Sequence, residues 1–148
     1  MATILDSMTI TFFREIVPFN ELPHEVLQDL LGKILIKTFP KGTLVLEQDG
    51  VPCEYLYIIQ KGAVEKIVQR EGKDVLLDYR AEGEFFGSAS LITGSGSAFS
   101  VRTHEDTVCY LIPKDVFDHY SESKNKKRKI RSRLYTMTLL LKIRNSER

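Results

Sequence analysis

The first third of the chain carries its apolar residues at helical spacing. Apolar positions recur three or four residues apart between Asp6 and Pro18, which predicts a first helix that the proline ends. A second predicted helix opens at Pro23 and ends at Gly32. The apolar stripe of the second helix is Val26, Leu27, Leu30 and Leu31.

From residue 33 the apolar period changes from helical spacing to two, which is typical of β-strands. Turn dipeptides such as Asp49-Gly50, Lys61-Gly62 and Glu71-Gly72 recur about every ten residues, as in a roll of short strands. The predicted strands include alternating runs from residue 34, a strongly apolar run at 55–59, a hairpin of 64–68 with 75–79, and runs at 101 and 108–112.

After Pro113 the pattern is helical again. It predicts a short helix at 114–121 and a longer basic helix at 122–148. Ile130, Leu134, Met137 and Leu141 form one apolar stripe on the long helix. Two interpretations of this stripe are equally favoured, namely packing on the chain's own β-core and a helix-pair seam of a homodimer.

Composition is that of an ordinary globular domain, with 43% hydrophobic and 28% charged residues among 148. The net charge of +1 hides an asymmetry, because ten Lys and Arg stand against two Glu after residue 120. A solvated tail that pairs with the acidic body is favoured over a contact with nucleic acid, lipid or a partner domain. With no apolar stretch of membrane-spanning length and no secretory signal, we expect a cytoplasmic protein without a membrane partner.

No catalytic or metal-binding constellation is present, so we expect neither an enzyme nor a metal site. The pair Glu82 and Glu84 and the run at 104–106 are interpreted as turns. Cys109 lies in a β-run and is expected in the core. Cys53 follows a proline in a loop and is a candidate for solvent exposure.

The segment 83–101 combines a strand end, a helix-compatible run at 88–93 and a Gly/Ser loop that leads into the next strand. Such a segment offers clustered backbone N–H groups to an anion. Taken alone the signal is weak, since Gly/Ser loops usually only turn the chain.

Dispersed motifs over residues 11–121 give that segment a context. They are Pro18-Phe19, Leu22-Pro23, Phe39-Pro40-Lys41-Gly42-Thr43, Glu47-Gln48-Asp49-Gly50, Tyr55-Leu56-Tyr57-Ile58-Ile59, Lys61-Gly62-Ala63-Val64, 83–87 and 101–106. In this order they resemble the cyclic nucleotide-binding domain family, to which the catabolite gene activator and kinase A regulatory subunits belong. The resemblance implies a mainly β fold with flanking helices, an eight-stranded β-roll (a jelly roll) with N-terminal helices and a long C-terminal helix. It divides the chain into a domain at 1–121 (helical 1–32, roll 33–112, short helix 114–121) and the basic helix at 122–148.

In that family a Glu after Phe-Gly binds the ribose hydroxyl and an Arg before a Val binds the cyclic phosphate. Counting back from Val101 places these anchors at Ser88 and Ser97, so both are missing here. Arg102 has the opposite strand parity to Ser97 and is expected on the other face. The implied, degenerate ligand-binding residues are Gly87, Ser88, Ala89, Ser90, Ser97 and Ala98. They suit a small anion or a weakly bound cyclic nucleotide, and no other cofactor is expected.

Within the family, the run at 85–94 looks most like bacterial proteins whose degenerate N-terminal domain precedes CBS domains and a nucleotidyltransferase. We therefore predict a regulatory sensor module of a signal transduction protein in which cAMP binding is weak or lost. The alternative is the sensor and dimerisation part of a transcription regulator without its DNA-binding domain. A regulated downstream domain and a second copy of the chain are the expected partners, and nucleic acid is not. Whether the chain is a stand-alone protein or the N-terminal part of a longer one stays open.

The apolar stripe of the predicted C-terminal helix makes the homodimer testable. If the stripe forms a seam, replacing Leu134 and Leu141 by Lys places charges in it and converts a dimer into a monomer. Light scattering on the full chain measures the mass of both proteins. A wild-type chain that is monomeric at high concentration would instead favour packing of the stripe on its own β-core.

Overall fold

The computed structural model describes residues 7–16 and 19–122. Helices α1 (Ser7–Arg14) and α2 (His24–Leu31) come first, with a 3-10 turn at Phe19–Glu21 between them. Eight strands follow within these residues: β1 (Leu35–Phe39), β2 (Leu44–Leu46), β3 (Tyr55–Lys61), β4 (Ala63–Arg70), β5 (Lys73–Ala81), β6 (Phe85–Phe86), β7 (Ser100–Thr103) and β8 (Thr107–Pro113). Helix α3 (Ser88–Thr93) lies between β6 and β7, and α4 (Lys114–Glu122) follows β8.

The strands form two four-stranded antiparallel sheets. The first sheet has the order β1-β8-β3-β6, and the second has the order β2-β7-β4-β5. Strand β3 is buried from Leu56 through Ile59, as its apolar sequence requires, because it pairs with β8 on one side and β6 on the other. The core therefore lies between the sheets and beneath the helices.

The hairpin of β4 and β5 determines which residues of the second sheet face the interior. From Ala63 to Lys66 the strands pair in one register, and from Ile67 to Arg70 the register is shifted by one residue, so that Leu77 of β5 has no partner. A bulge of this kind inserts one residue into one strand and disturbs the local alternation of side chains. Val64, which is buried, and Glu65, which is half-buried, mark the inner and outer faces of β4.

The N-terminal helices pack through aromatic side chains. Phe13 of α1 is completely buried, and its ring lies 5.1 Å from the rings of both Phe19 and Tyr110. Tyr110 belongs to β8, so this cluster attaches α1 to the first sheet. Helix α2 buries its predicted stripe, with Leu27 and Leu31 fully inaccessible.

The predicted mainly β fold with flanking helices is confirmed, and α2, α3 and the β4–β5 hairpin occur where the sequence placed them. Burial in β1 differs from the period-two pattern, since Ile36 is 60% exposed while its alternate neighbour Ile34 is buried. Among the described strands, β1 lies at the edge of its sheet and pairs with β8 alone, which leaves these side chains less covered than those of a central strand.

Two parts of the sequence interpretation lie outside the described residues. These are the long helix at 122–148, apart from Glu122, and the homodimer seam that its apolar stripe predicts. Across residues 7–16 and 19–122, no helix has both the length and the apolar character needed to cross a membrane.

The aromatic cluster predicts a large effect of Phe13→Ala. Removal of a fully buried aromatic ring costs about 3–5 kcal/mol, because contacts are lost and a cavity remains. Met8 of the same helix is 79% exposed, so Met8→Ala is the matched control and is expected within about 0.5 kcal/mol of wild type. Urea unfolding of the three proteins measures both differences, and equal losses would contradict the docking of α1 through Phe13.

Candidate functional site

The segment 87–99, here called the cassette, holds a short helix between two glycines. Gly87 and Gly94 flank α3, and both adopt left-handed backbone conformations, with φ of 90° and 78°. At Gly87 space is also lacking, because an added Cβ would lie 3.2 Å from the Tyr57 ring and 3.3 Å from the Tyr55 carbonyl oxygen. The cassette helix therefore begins in close contact with β3, at a position that requires glycine.

Ser90 fastens the cassette helix to the neighbouring loop. Its hydroxyl is buried, accepts a hydrogen bond from the backbone N–H of Cys53 at 2.8 Å, and donates to the carbonyl oxygen of Ser95. The Ser90 side chain thus connects the cassette helix both to the loop before β3 and to the Gly/Ser loop that follows the helix. The hydroxyl thus makes one accepted and one donated hydrogen bond, and both serve the architecture of the site.

Cys53 is buried, so its predicted candidacy for solvent exposure is wrong. Ser90 and Gly87 of the cassette pack against it, and an added Cβ at Gly87 would lie 3.5 Å from its sulfur. Burial raises the pKa of the Cys53 thiol, and the hydrogen bond with Ser90 lowers it by a smaller amount. Cys109 lies in the core as predicted, and burial raises its pKa to about 12. Both thiols are therefore protonated at neutral pH, which does not suit a nucleophile.

The loop that follows α3 is held by the loop at 47–50. The backbone N–H of Asp49 donates to the carbonyl oxygen of Ser97 at 2.7 Å. An added Cβ at Gly96 would come within 2.5 Å of the Gly50 carbonyl oxygen, so only glycine permits this approach. The Ser97 hydroxyl is buried and donates to the carbonyl oxygen of Phe99 at 2.5 Å. Ser97 therefore uses its polar group inside the loop itself.

All six predicted site residues lie in the cassette, and their exposure to solvent differs. Ser88, Ser90 and Ser97 are buried at 1%, 4% and 5% exposure, whereas Ala98 is exposed. Gly87 is buried and Ala89 is half-buried. Residues 87–99 contain no charged side chain.

Arg102 lies apart from the cassette residues. Its guanidinium is 3.9 Å from Asp74 of β5, and its side chain is 40% exposed. It pairs with Glu65 on the outer side of the second sheet, as its strand parity predicts. Arg102 is therefore not placed to supply the arginine that the family resemblance expects in the cassette.

Sequence reasoning did not single out two basic residues that lie inside the roll. Lys66 of β4 is 1% exposed and Arg80 of β5 is 6% exposed. The signal at Lys66 was present in the sequence, because it alternates with Val64 and Val68 on the inner side of β4. Between the hairpin turn and Arg80, the bulge at Leu77 interrupts the alternation of side chains along β5. The sequence alone therefore does not show that the Arg80 side chain faces the interior.

The remaining candidate groups occupy turns, as the sequence indicated. Glu84 accepts a hydrogen bond from the backbone N–H of Ala81 at 2.8 Å, and Glu82 is exposed. His104 lies in the bend between β7 and β8, with its Nδ1 3.1 Å from a carboxylate oxygen of Glu65. Among the described residues, no group of three or more His, Cys, Asp or Glu side chains is arranged to hold a metal ion.

Comparison with known proteins places this geometry in a family context. Residues 36–124, more than half of the chain, match the family model described as cyclic nucleotide-binding domain. The cAMP-dependent protein kinase regulatory subunit of Blastocladiella emersonii is 28% identical over 113 residues, covering 72% of this chain and 28% of that protein. The regulatory domain of Toxoplasma gondii PKA, solved with cAMP, has a TM-score of 0.70 at 21% identity over 78% of this chain and 46% of that chain.

A third similar structure is a triple variant of the regulatory subunit of a cAMP-independent protein kinase A from Trypanosoma brucei, bound to cAMP in its A site. It has a TM-score of 0.65 at 17% identity and covers 81% of this chain and 48% of that chain. One of its three substitutions replaces a threonine by an arginine. At these identities the solved structures show the fold alone. The chain spans between 10% and 28% of the length of the curated relatives that it matches.

The hydrogen bonds of Ser90 predict that Ser90→Ala destabilises the protein. The variant leaves the buried N–H of Cys53 without its acceptor, at a cost of about 1–3 kcal/mol. Thr93→Ala is the matched control, since its hydroxyl also bonds within the cassette but is exposed, so that water replaces it. Urea unfolding gives the stabilities, and hydrogen exchange reports protection of the Cys53 amide. Unchanged protection of that amide in Ser90→Ala would contradict the proposed fastening.

Proposed function

The chain belongs to the cyclic nucleotide-binding domain family, and we propose that it is a regulatory sensor module of a signal transduction protein whose cassette binds cAMP weakly or not at all. The module responds to a ligand inside the roll and transmits the response through the helix that follows β8. The proposed role of the module is ligand binding and regulation, without a catalytic reaction.

The single observation that carries the proposal is the state of Ser97. By the family resemblance this position holds the arginine that binds the cyclic phosphate, and here it holds a buried hydroxyl that is engaged with Phe99. Hydrogen bonds to charged groups contribute roughly 1.5–3 kcal/mol each. Loss of the arginine contact thus lowers the affinity for a cyclic phosphate by roughly ten- to a few hundredfold.

The second anchor position supports the same conclusion. Ser88, which stands where the family carries a glutamate, is 1% exposed and offers one hydroxyl in place of a carboxylate. The bacterial proteins that the run at 85–94 resembles, with CBS domains and a nucleotidyltransferase after this domain, also lack both anchors. A domain of this type that regulates a downstream part of its own chain fits both observations.

The Trypanosoma brucei structure offers a parallel. That regulatory subunit is described as belonging to a cAMP-independent kinase, and the triple variant bound to cAMP includes a substitution to arginine. The parallel suggests that this fold retains its architecture when cAMP recognition changes with a few side chains. It motivates the corresponding substitutions in the present chain.

A direct contact between α3 and α4 supplies the route for the response. Lys114, the first residue of α4, donates from its Nζ to the carbonyl oxygen of Leu91 in α3 at 3.2 Å. The same ammonium lies 3.1 Å from Asp118 one turn further along α4. A ligand that shifts the cassette helix changes this contact, and the position of α4 changes with it.

Isothermal titration tests the proposal. The wild-type chain is expected to give no saturable heat with cAMP at tens of micromolar, because both anchors are absent. The double variant Ser88→Glu with Ser97→Arg should then bind at least tenfold more tightly, since it restores a charge-assisted contact to the phosphate.

The control is Ser88→Gln with Ser97→Gln, which adds comparable volume at both positions without charge. Melting curves establish that each variant folds, and Ser97→Arg alone serves if the buried Ser88 position rejects a glutamate. A sub-micromolar dissociation constant of the wild type for cAMP would refute the proposal. Identical titrations of wild type and folded Ser97→Arg would refute the placement of the phosphate anchor at that position.

A further inference from the structure

The outer face of the second sheet carries large apolar side chains. An antiparallel sheet that covers a core with one face normally presents polar side chains to solvent on the other. Here Leu44 of β2 is 46% exposed, and Leu76 and Tyr79 of β5 are 46% and 49% exposed. Single exposed apolar residues are common, but three on one sheet face form a surface that suits a protein contact.

Four side chains cross this face in one row, with one residue from each strand. Leu44 of β2 pairs with Arg102 of β7. Arg102 pairs in turn with Glu65 of β4, and Glu65 pairs with Tyr79 of β5. All four side chains are partly exposed, whereas Val101, the neighbour of Arg102, is completely buried on the inner face. In strand order this outer row reads apolar, positive, negative, apolar.

The outer row is complementary to its own reverse. A two-fold axis parallel to the strands, between β7 and β4, lays a second copy of the sheet over the first with the order of its strands reversed. Leu44 of one copy then faces Tyr79 of the other copy, and Arg102 faces Glu65. Each contact occurs twice, because the same surface is used by both copies.

The two charges of the outer row remain accessible to a second copy. The guanidinium of Arg102 is 3.9 Å from the carboxylate of Asp74, which is a long contact, and these side chains are 40% and 48% exposed. The carboxylate of Glu65 lies 3.1 Å from Nδ1 of His104, whose side chain is 53% exposed. Ion pairs as exposed as these hold their side chains weakly, so each charge is able to contact an opposite charge of a second copy.

The neighbouring row of the same face carries no charge. Ser100 of β7 pairs with Ile67 of β4, and Ile67 pairs with Leu76 of β5. Four strands about 4.8 Å apart, with the eight residues of β4 at about 3.3 Å each, cover roughly 15 by 26 Å. Two faces of this size bury an area close to the lower limit of specific interfaces, so a dimer formed through them is expected to be weak and dependent on concentration.

We propose that the outer face of the second sheet is a homodimer interface, in which two copies of the chain pack face to face through the outer row. A partner of a single charge sign fits this row less well, because the row contains both signs and a second copy supplies the opposite sign at each position. The inference goes beyond the proposed sensor function and does not depend on it. The interface is also distinct from the apolar stripe at 130–141.

Light scattering of the full chain over a range of concentrations tests the interface. We expect the mass of the wild type to rise from monomer towards dimer. Arg102→Glu and Glu65→Arg each place like charges opposite one another in the dimer, and each should weaken dimerisation at least tenfold. An equimolar mixture of these two variants should dimerise again, because every charge of one variant then faces the opposite charge of the other. No change within a single chain produces this rescue.

The apolar ends of the outer row have a matched control on the first sheet. Leu44→Asp places a charge against an apolar side chain of the other copy and should also weaken dimerisation at least tenfold. Leu35 of β1 is 49% exposed, so Leu35→Asp introduces the same charge at similar exposure outside the interface. The mass of this control should follow that of the wild type. Melting curves establish that each variant folds, and Leu44→Ser serves if the aspartate variant does not.

Three results would overturn the proposal. A wild type that stays monomeric up to its solubility limit leaves the outer face to another occupant. A dimer that persists in Arg102→Glu and Leu44→Asp but is lost in Leu134→Lys with Leu141→Lys belongs to the stripe at 130–141. A mixture of Arg102→Glu and Glu65→Arg that remains monomeric, while the wild type dimerises, excludes the two-fold arrangement of the outer row.

Discussion

Side chains of a β-strand alternate between its two faces, and in the second sheet this constraint decides what enters the interior of the roll. Lys66 shares the inner face of β4 with Val64, while Arg102 of β7 is left outside with Glu65. The bulge at Leu77 changes the register of β5 by one residue and so determines which of its residues face inward beyond that point. Which residues of the second sheet face the interior therefore depends on the alternation of side chains along its strands and on the bulge at Leu77.

The cassette packs against the roll through close backbone contacts and hydrogen bonds, and it contains no charged side chain. It is held from below by Tyr57 and Cys53 through Gly87 and Ser90, and from the side by Asp49 and its neighbour Gly50. These contacts are made by backbone groups and hydroxyls, and the hydroxyls of Ser90 and Ser97 bind backbone groups of the cassette and of the loop before β3. Among the described residues, the buried charged side chains are Lys66 and Arg80, and both belong to the strands of the second sheet.

The cassette is also joined to the helix that follows the last strand of the roll. Helix α3 touches β3 at its start, and its Leu91 carbonyl oxygen accepts a hydrogen bond from Lys114 at the start of α4. The backbone N–H of Lys114 also donates to the carbonyl oxygen of Glu54 at 2.9 Å, so the beginning of α4 is fastened both to the cassette and to the loop before β3.

The sequence by itself determined the order of the elements, because apolar periodicity and turn dipeptides are local signals. It predicted the helix that buries Leu27, the apolar strand β3 and the cassette helix after Gly87, and the structure has all three. Burial depends on neighbours that are distant along the chain, so only the tertiary structure decided that Cys53 is covered by the cassette and that Ile36 is exposed on an edge strand. It also decided that Arg80 joins Lys66 inside the roll, because the register of β5 beyond a bulge cannot be counted from the sequence when the position of the bulge is unknown.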